Sequence, residues 1–213
     1  MDRKTIVLIA ALVGVSCVTN TRNCTAPEIE SIKGCYGDFI SAYGFDRTNL
    51  LPKYLDFDNK RNTWLVNGLA KQPQIKKIGA ALTDCMKPYT ECVGADIYSG
   101  NFNQTPDDAK KYLTDLAVTG YQSSDRGYNL LLKHKYCMDK CTTSQAANLT
   151  QCTTDANDFK DVNDCNKYII CVHEVYTGIC GQEAGEYECG VSRADINISQ
   201  EKCVGMNKCI PAL

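Results

Sequence analysis

The chain has 213 residues, 23 Lys plus Arg against 25 Asp plus Glu, and 14 cysteines. A charge balance this close to zero leaves no basic stripe of the kind that nucleic acid or an anionic membrane demands, so both are excluded as expected partners. The length suffices for a real core in one or two domains, and the cysteines therefore reinforce a fold instead of replacing one.

Residues 1–17 have the three-part layout of a secretory signal peptide: Asp2, Arg3 and Lys4, then the apolar run Ile6 to Val15, then small residues. A run this short falls below the roughly 20 residues that span a bilayer, so the expectation is an extracellular protein without stable membrane insertion. Removing residues 1–17 takes away two basic groups and one acid, leaving 21 against 24, a net of −3. Exported thiols oxidise and stay paired, so the cysteines read as a disulfide framework. Cleavage after Ser16 leaves fourteen cysteines and permits full pairing. Cleavage after Cys17, which suits the small-residue rule slightly better, leaves thirteen and hence one thiol that stays free or forms a covalent dimer.

Thr25-Ala26-Pro27-Glu28 reads as a helix start, with a capping box and proline in the first turn. The stripe Ile29, Ile32, Cys35, Tyr36, Phe39, Ile40, Tyr43 then predicts a helix over 26–43, with Cys24 just before it. Asp46 to Lys60 reads as a connecting loop, and Trp64 with Leu65, Val66 and Leu69 as a short helical turn packed on the core. Ile75, Ile78, Ala81, Leu82 and Cys85 predict a helix over 74–85, interrupted by Pro88 before Cys92. Thr105-Pro106-Asp107-Asp108 repeats the start signal, followed by Ala109, Tyr112, Leu113, Leu116 and Ala117. A further helix is expected from Tyr128 through Leu131, Leu132, Lys135 and Tyr136 to Cys141, on which Cys137 and Cys141 lie one turn apart and grip neighbours more readily than each other.

Thr142 to Asp155 is polar and reads as a linker carrying Cys152. The stretch 164–189 then combines the helical stripe Tyr168, Ile169, Val172, Val175, Tyr176, Ile179 with Cys165, Cys171, Cys180 and Cys189, and Gly181 stands where a C-terminal cap belongs. Past Cys189 the period fades, so residues 190–213, with Cys203 and Cys209, read as an irregular stapled tail. The expected organisation is a signal peptide (1–17), a disulfide-rich domain (18–189) and that tail: an all-α, disulfide-stapled bundle of about five helices.

Four N-x-S/T triplets, at Asn23, Asn103, Asn148 and Asn197, fall in segments read as loops or helix entrances and mark glycan acceptors. Only two histidines are present. His134 sits in the basic run Lys133-His134-Lys135, read as a solvated helix face. His173 lies near Cys171, but a bridged Cys171 with His173 on a surface turn is the plainer reading than a nucleophile pair, since a reactive thiol would have to stay reduced outside the cell. No C-x2-C pair or paired histidine motif points to zinc, and the acidic run 155–164 has Phe159 and Lys160 where calcium ligands should alternate. No catalytic residue, metal or cofactor is therefore assigned.

The cysteine order, Asp108-Ala109-Lys110-Lys111-Tyr112-Leu113-Thr114-Asp115, Gly127-Tyr128 before Tyr136-Cys137, and Ile179-Cys180-Gly181-Gln182-Glu183-Ala184-Gly185 together resemble a nematode-restricted family of secreted, cysteine-rich helical domains of unknown function. The similarity covers about Cys24 to Cys189; it implies secretion and disulfides and transfers no catalytic residue. The leading expectation is a secreted, non-catalytic glycoprotein that acts as an interaction or structural module for an extracellular protein or glycan. The second is a carrier of a small apolar ligand, with Phe39, Tyr43, Tyr112, Leu116, Tyr168 and Val172 lining its cavity.

Overall fold

Four helix starts follow from local chemistry. In the computed structural model, which describes residues 22–206 and Cys209 apart from 48–49 and 66–67, the helix α1 (Ala26–Ala42) begins where the Glu28 carboxylate accepts from the Thr25 backbone N–H at 2.7 Å and its hydroxyl at 2.8 Å. Arg22 closes on the same carboxylate and, with Thr25, holds its pKa down at about 2. Thr105 caps α5 (Pro106–Ser123), Ser124 caps α6 (Asp125–Ser144), and Asp161 accepts from two backbone N–H groups at the head of α8 (Val162–Cys180). The signal segment 1–17 lies outside the described residues.

The described residues hold nine α-helices rather than about five; the others are α2 (Tyr54–Leu65), α3 (Gln72–Met86), α4 (Ala95–Asn101), α7 (Ala146–Asp155) and α9 (Gln182–Ser199). From Tyr54 onward the loop expected over 46–60 is α2, which runs on through Trp64 where a helical turn on the core is expected; its stripe of Tyr54, Phe57 and Trp64 is interrupted by the charged Arg61. The linker expected over 142–155 is mostly α7, which buries little besides Cys152 and so shows no apolar period. The irregular tail is likewise corrected, because α9 runs on to Ser199, and of the described residues beyond it Glu201–Cys203 form a short 3-10 turn.

Gly181, with φ +87°, ends α8 and lets the chain fold straight back into α9. The two helices pack so closely that a Cβ on Gly185 would lie 2.7 Å from the His173 carbonyl oxygen and collide with the Thr177 hydroxyl. The face of α9 is therefore built from small residues, Ala184, Gly185, Ser192 and Ala194, around Tyr187, Cys189 and Ile196. Not every residue of the expected stripes faces inward: Tyr136 is 87% and Ile179 53% exposed.

Two bodies of core result. The first gathers Ile32, Tyr36, Phe39, Ile40 and Tyr43 of α1, Phe57, Leu82, Met86, Tyr98, Phe102, and Ala109, Tyr112 and Leu113 of α5. Its rings meet edge-on or stacked, and the Tyr36 and Tyr98 hydroxyls share a 2.7 Å hydrogen bond that satisfies both inside the core. The second lies among α6 to α9 and is made of Leu130, Met138, Val172, Tyr176, Ala184 and Tyr187, with a satellite around Ile169, Ile196 and Met206.

The disulfides respect this division. Cys24–Cys92 and Cys35–Cys85 close the first half. Cys137–Cys180, Cys152–Cys171, Cys165–Cys203 and Cys189–Cys209 close the second. Among the described residues no bridge joins the halves; α5 serves both, its first turns in the first core and its last against α9, where Tyr121 fills the space beside Gly190. Cys141, expected in a bridge, is instead a free thiol with 0% exposure. Its burial keeps it from reaching a second molecule, so the covalent dimer envisaged for an unpaired cysteine would not form through it.

Candidate functional site

A cleft of about 290 Å³ opens at the seam between the halves. Tyr43, Arg61, Gln72, Ile75, Lys76 and Gly79 supply the wall from the first half, and Val118, Thr119, Gln122 and Ser123 of α5 its floor. Tyr128, Leu131, Lys135, Met138, Asp139 and Thr142 of α6, with Tyr187, Glu188 and Val191 of α9, complete it. The volume lies just below the range of about 300–1,000 Å³ usual for ligand pockets, which suits a small ligand.

The walls owe their shape to the packing just described. Gly79 lets α3 approach α5 until Thr119 lies 2.9 Å from where a Cβ would stand. Gln122 donates to the Tyr187 hydroxyl at 3.0 Å, tying α5 to α9. Lys76 reaches across the seam to Asp125 at 2.7 Å and lies 4.6 Å above the Tyr128 ring. Arg126 pairs with Glu186 at 2.7 Å. The Lys76–Asp125 pair ties one half to the other, whereas Arg126–Glu186 joins α6 to α9 within the second half; among the described residues no disulfide crosses the seam.

Three polar groups in the walls stand out. Arg61, 18% exposed at its side chain, gives one guanidinium nitrogen to the buried carboxylate of Asp115 and another to Asp58 at 2.9 Å, while its Nε is buried with no acceptor. Burial would lower its pKa, and the adjoining Asp115 more than offsets this and raises it. Gln72, 2% exposed, has a buried Nε2 with no acceptor. Glu188 is pushed up to about 7 by burial and by the nearby Asp139, against the opposing pull of Lys135. Tyr187 also sits well above its ordinary pKa through burial, so its hydroxyl remains protonated and able to donate or accept.

Six bridges use twelve of the thirteen cysteines from Cys24 onward that were expected to pair, and place them as frame around the cleft rather than in it. Asn23, Asn103 and Asn148 are exposed, Asn197 is half-buried on α9, and none of the four lines the cleft. The cavity drawn around Phe39, Tyr43, Tyr112, Leu116, Tyr168 and Val172 is not formed: Phe39 and Tyr112 fill the first core, Val172 the second, and of the six only Tyr43 reaches the cleft. His134 is not a freely solvated side chain, since it is 15% exposed and pairs with Glu183 at 2.9 Å. His173 lies within α8 and not on a surface turn; its Nε2 and the Thr177 hydroxyl are buried against α9 without hydrogen-bond partners.

Among the described residues no group of three or more His, Cys, Asp or Glu is placed to hold a metal ion, and no helix is long and apolar enough to cross a membrane. No family model, curated protein or solved structure matches the chain. Arg61, Gln72 and Glu188 escape sequence reasoning for a common reason: each is a polar residue at a position where the helical period calls for an apolar one or for none. Arg61 carries the one usable signal, lying seven residues after Tyr54 and four after Phe57 on the inward stripe of α2.

Proposed function

We propose that this protein is a secreted, non-catalytic glycoprotein that works by binding, with the seam cleft as its site for a small extracellular molecule. The observation that carries the reading is the position of the cleft, walled by five helices, α2, α3, α5, α6 and α9, drawn from two separately crosslinked halves. Such a site is held open before any ligand arrives, and preorganisation lowers the ordering cost of binding. Its polar groups are amide, guanidinium, ion-paired lysine and protonated tyrosine, which orient a ligand, set among Ile75, Val118, Leu131 and Val191, which cover it. Membership of the nematode-restricted secreted family, and glycan at Asn23, Asn103, Asn148 and Asn197, belong to the same proposal.

Protein secreted from eukaryotic cells provides the test. Non-reducing mass spectrometry should find the six bridges, a single free thiol and glycan on the exposed acceptors. A panel of neutral, cationic and anionic small molecules should then contain compounds that raise the melting temperature of the native protein and not of a Val191→Trp variant, whose indole fills the cleft. If every compound acts equally on both proteins, the cleft is not the site. A protein partner is the second reading, favoured by the exposed Tyr136 and Ile179 on either side of the Cys137–Cys180 bridge.

A further inference from the structure

The inference below rests on the cleft being a ligand site and names the class of molecule it takes. Two N–H donors in the first-half wall, Nε of Arg61 and Nε2 of Gln72, are buried without an acceptor. A buried donor left unmatched costs about 1–3 kcal/mol, so the site favours a ligand that brings an acceptor. The charge of Arg61 is already met by Asp115 and Asp58, so a neutral oxygen suits these donors better than an anion.

Across the cleft stands Glu188 of α9. The titratable groups around it are Asp139, Lys135 and Cys141 of α6, Tyr121 of α5, Tyr168 and Tyr176 of α8 and its neighbour Tyr187, and Lys135 is committed to Asp139 through contacts of 2.9 and 2.8 Å. Lys76 of α3 is committed to Asp125. Each cation in the walls therefore has its own acid, while Glu188 makes no ion pair among the described residues and has Tyr187 beside it in the wall. An anionic ligand would meet two carboxylates and only spoken-for cations. A protonated amine would pair with Glu188 and lie against the tyrosine rings.

We propose that the cleft binds a small amphipathic amine, its ammonium paired with Glu188 and an uncharged oxygen accepting from Gln72 and Arg61.

Three probes with a shared indole body separate the parts of the claim: 5-methoxytryptamine, tryptamine, which lacks the oxygen, and 5-methoxyindole-3-acetate, whose charge is reversed. Calorimetric titration at pH 8, where Glu188 is ionised, should give at least tenfold tighter binding of 5-methoxytryptamine than of the acetate. Glu188→Gln should abolish that preference. Gln72→Met should remove the advantage of the methoxy compound over tryptamine. Circular dichroism melts establish that both variants fold. Equal affinity for the amine and the acetate, or a preference that survives Glu188→Gln, would overturn the proposal. Failure of all three indoles, while other compounds still bind the native protein and not Val191→Trp, would overturn the amine class and leave the binding function standing; failure of every compound would overturn both.

Discussion

The two halves of the molecule solve the same problem with different materials. The first buries large rings, Tyr36, Phe39, Phe57, Tyr98, Phe102 and Tyr112 in mutual contact, and needs only two bridges over long loops. The second packs α8 on α9 through glycine and alanine, which brings backbones close but removes little apolar surface from water, and it carries four bridges. Since burial contributes roughly 25 cal/mol per Å² of apolar surface, a core of small side chains is thin, and restriction of the unfolded chain makes up the difference. Sulfur is concentrated where ring packing is scarce.

The largest effect should follow from taking the sulfur away. Removing a native bridge typically costs about 2–5 kcal/mol, and the second half carries four of the six. Graded reduction followed by hydrogen exchange should release amides of α7, α8 and α9 while those of α1 and α5 stay protected. Simultaneous release from both halves would mean that the division is only geometric. The converse experiment is Phe57→Ala, at a residue with 0% exposure whose ring touches those of Phe39, Tyr43 and Tyr112. It should cost about 3–5 kcal/mol, read as a lower denaturant midpoint, with exchange accelerating first in α1 and α5.

How far this division can be read from sequence follows from the same contrast. Large side chains repeat visibly, so α1, α3, α5, α6 and α8 announce themselves through stripes such as Ile32, Tyr36, Phe39, Tyr43, and their caps are spelled out by Thr25, Glu28 and Thr105. Small residues carry no such mark: Ser192 and Ala194 look like coil until a neighbouring helix is known to lie against them, which is why the part of α9 past Cys189 reads as a tail. Cysteine spacing announces a framework and leaves the pairing open, because partners are chosen by tertiary neighbours; Cys137 finds Cys180 while Cys141, one turn away, is buried in the second core as a free thiol. The cleft is the least legible feature, since it arises only when the two halves are set side by side across α5.

A smaller perturbation tests the thin packing directly. Gly185→Ala adds one methyl group where the obstacle is the His173 backbone, which cannot rotate out of the way. Overpacking of this kind costs about 1–3 kcal/mol, and the loss should appear in α8 and α9 alone. Gly178→Ala, on the same hairpin with open space at its Cβ, supplies the control and should be neutral or slightly stabilising.

The smallest effect probes the seam. Glu188 is raised from its ordinary range to about 7, so the folded protein holds a proton there that the unfolded chain gives up near pH 4.5. Its contribution to stability is fully present below about pH 4.5 and is lost as pH rises through 7. One pK unit corresponds to about 1.4 kcal/mol, and because the carboxylate keeps part of its hydration the loss should amount to about 1–2 kcal/mol by pH 8. Glu188→Gln should remove this slope, leaving the variant at least as stable as the native protein at pH 8 and no more stable at pH 4. Urea midpoints measured across that interval decide the matter. A slope that persists in the variant would place the titrating group elsewhere, whereas a slope that vanishes would show that the fold opposes a negative charge at this position in the cleft wall.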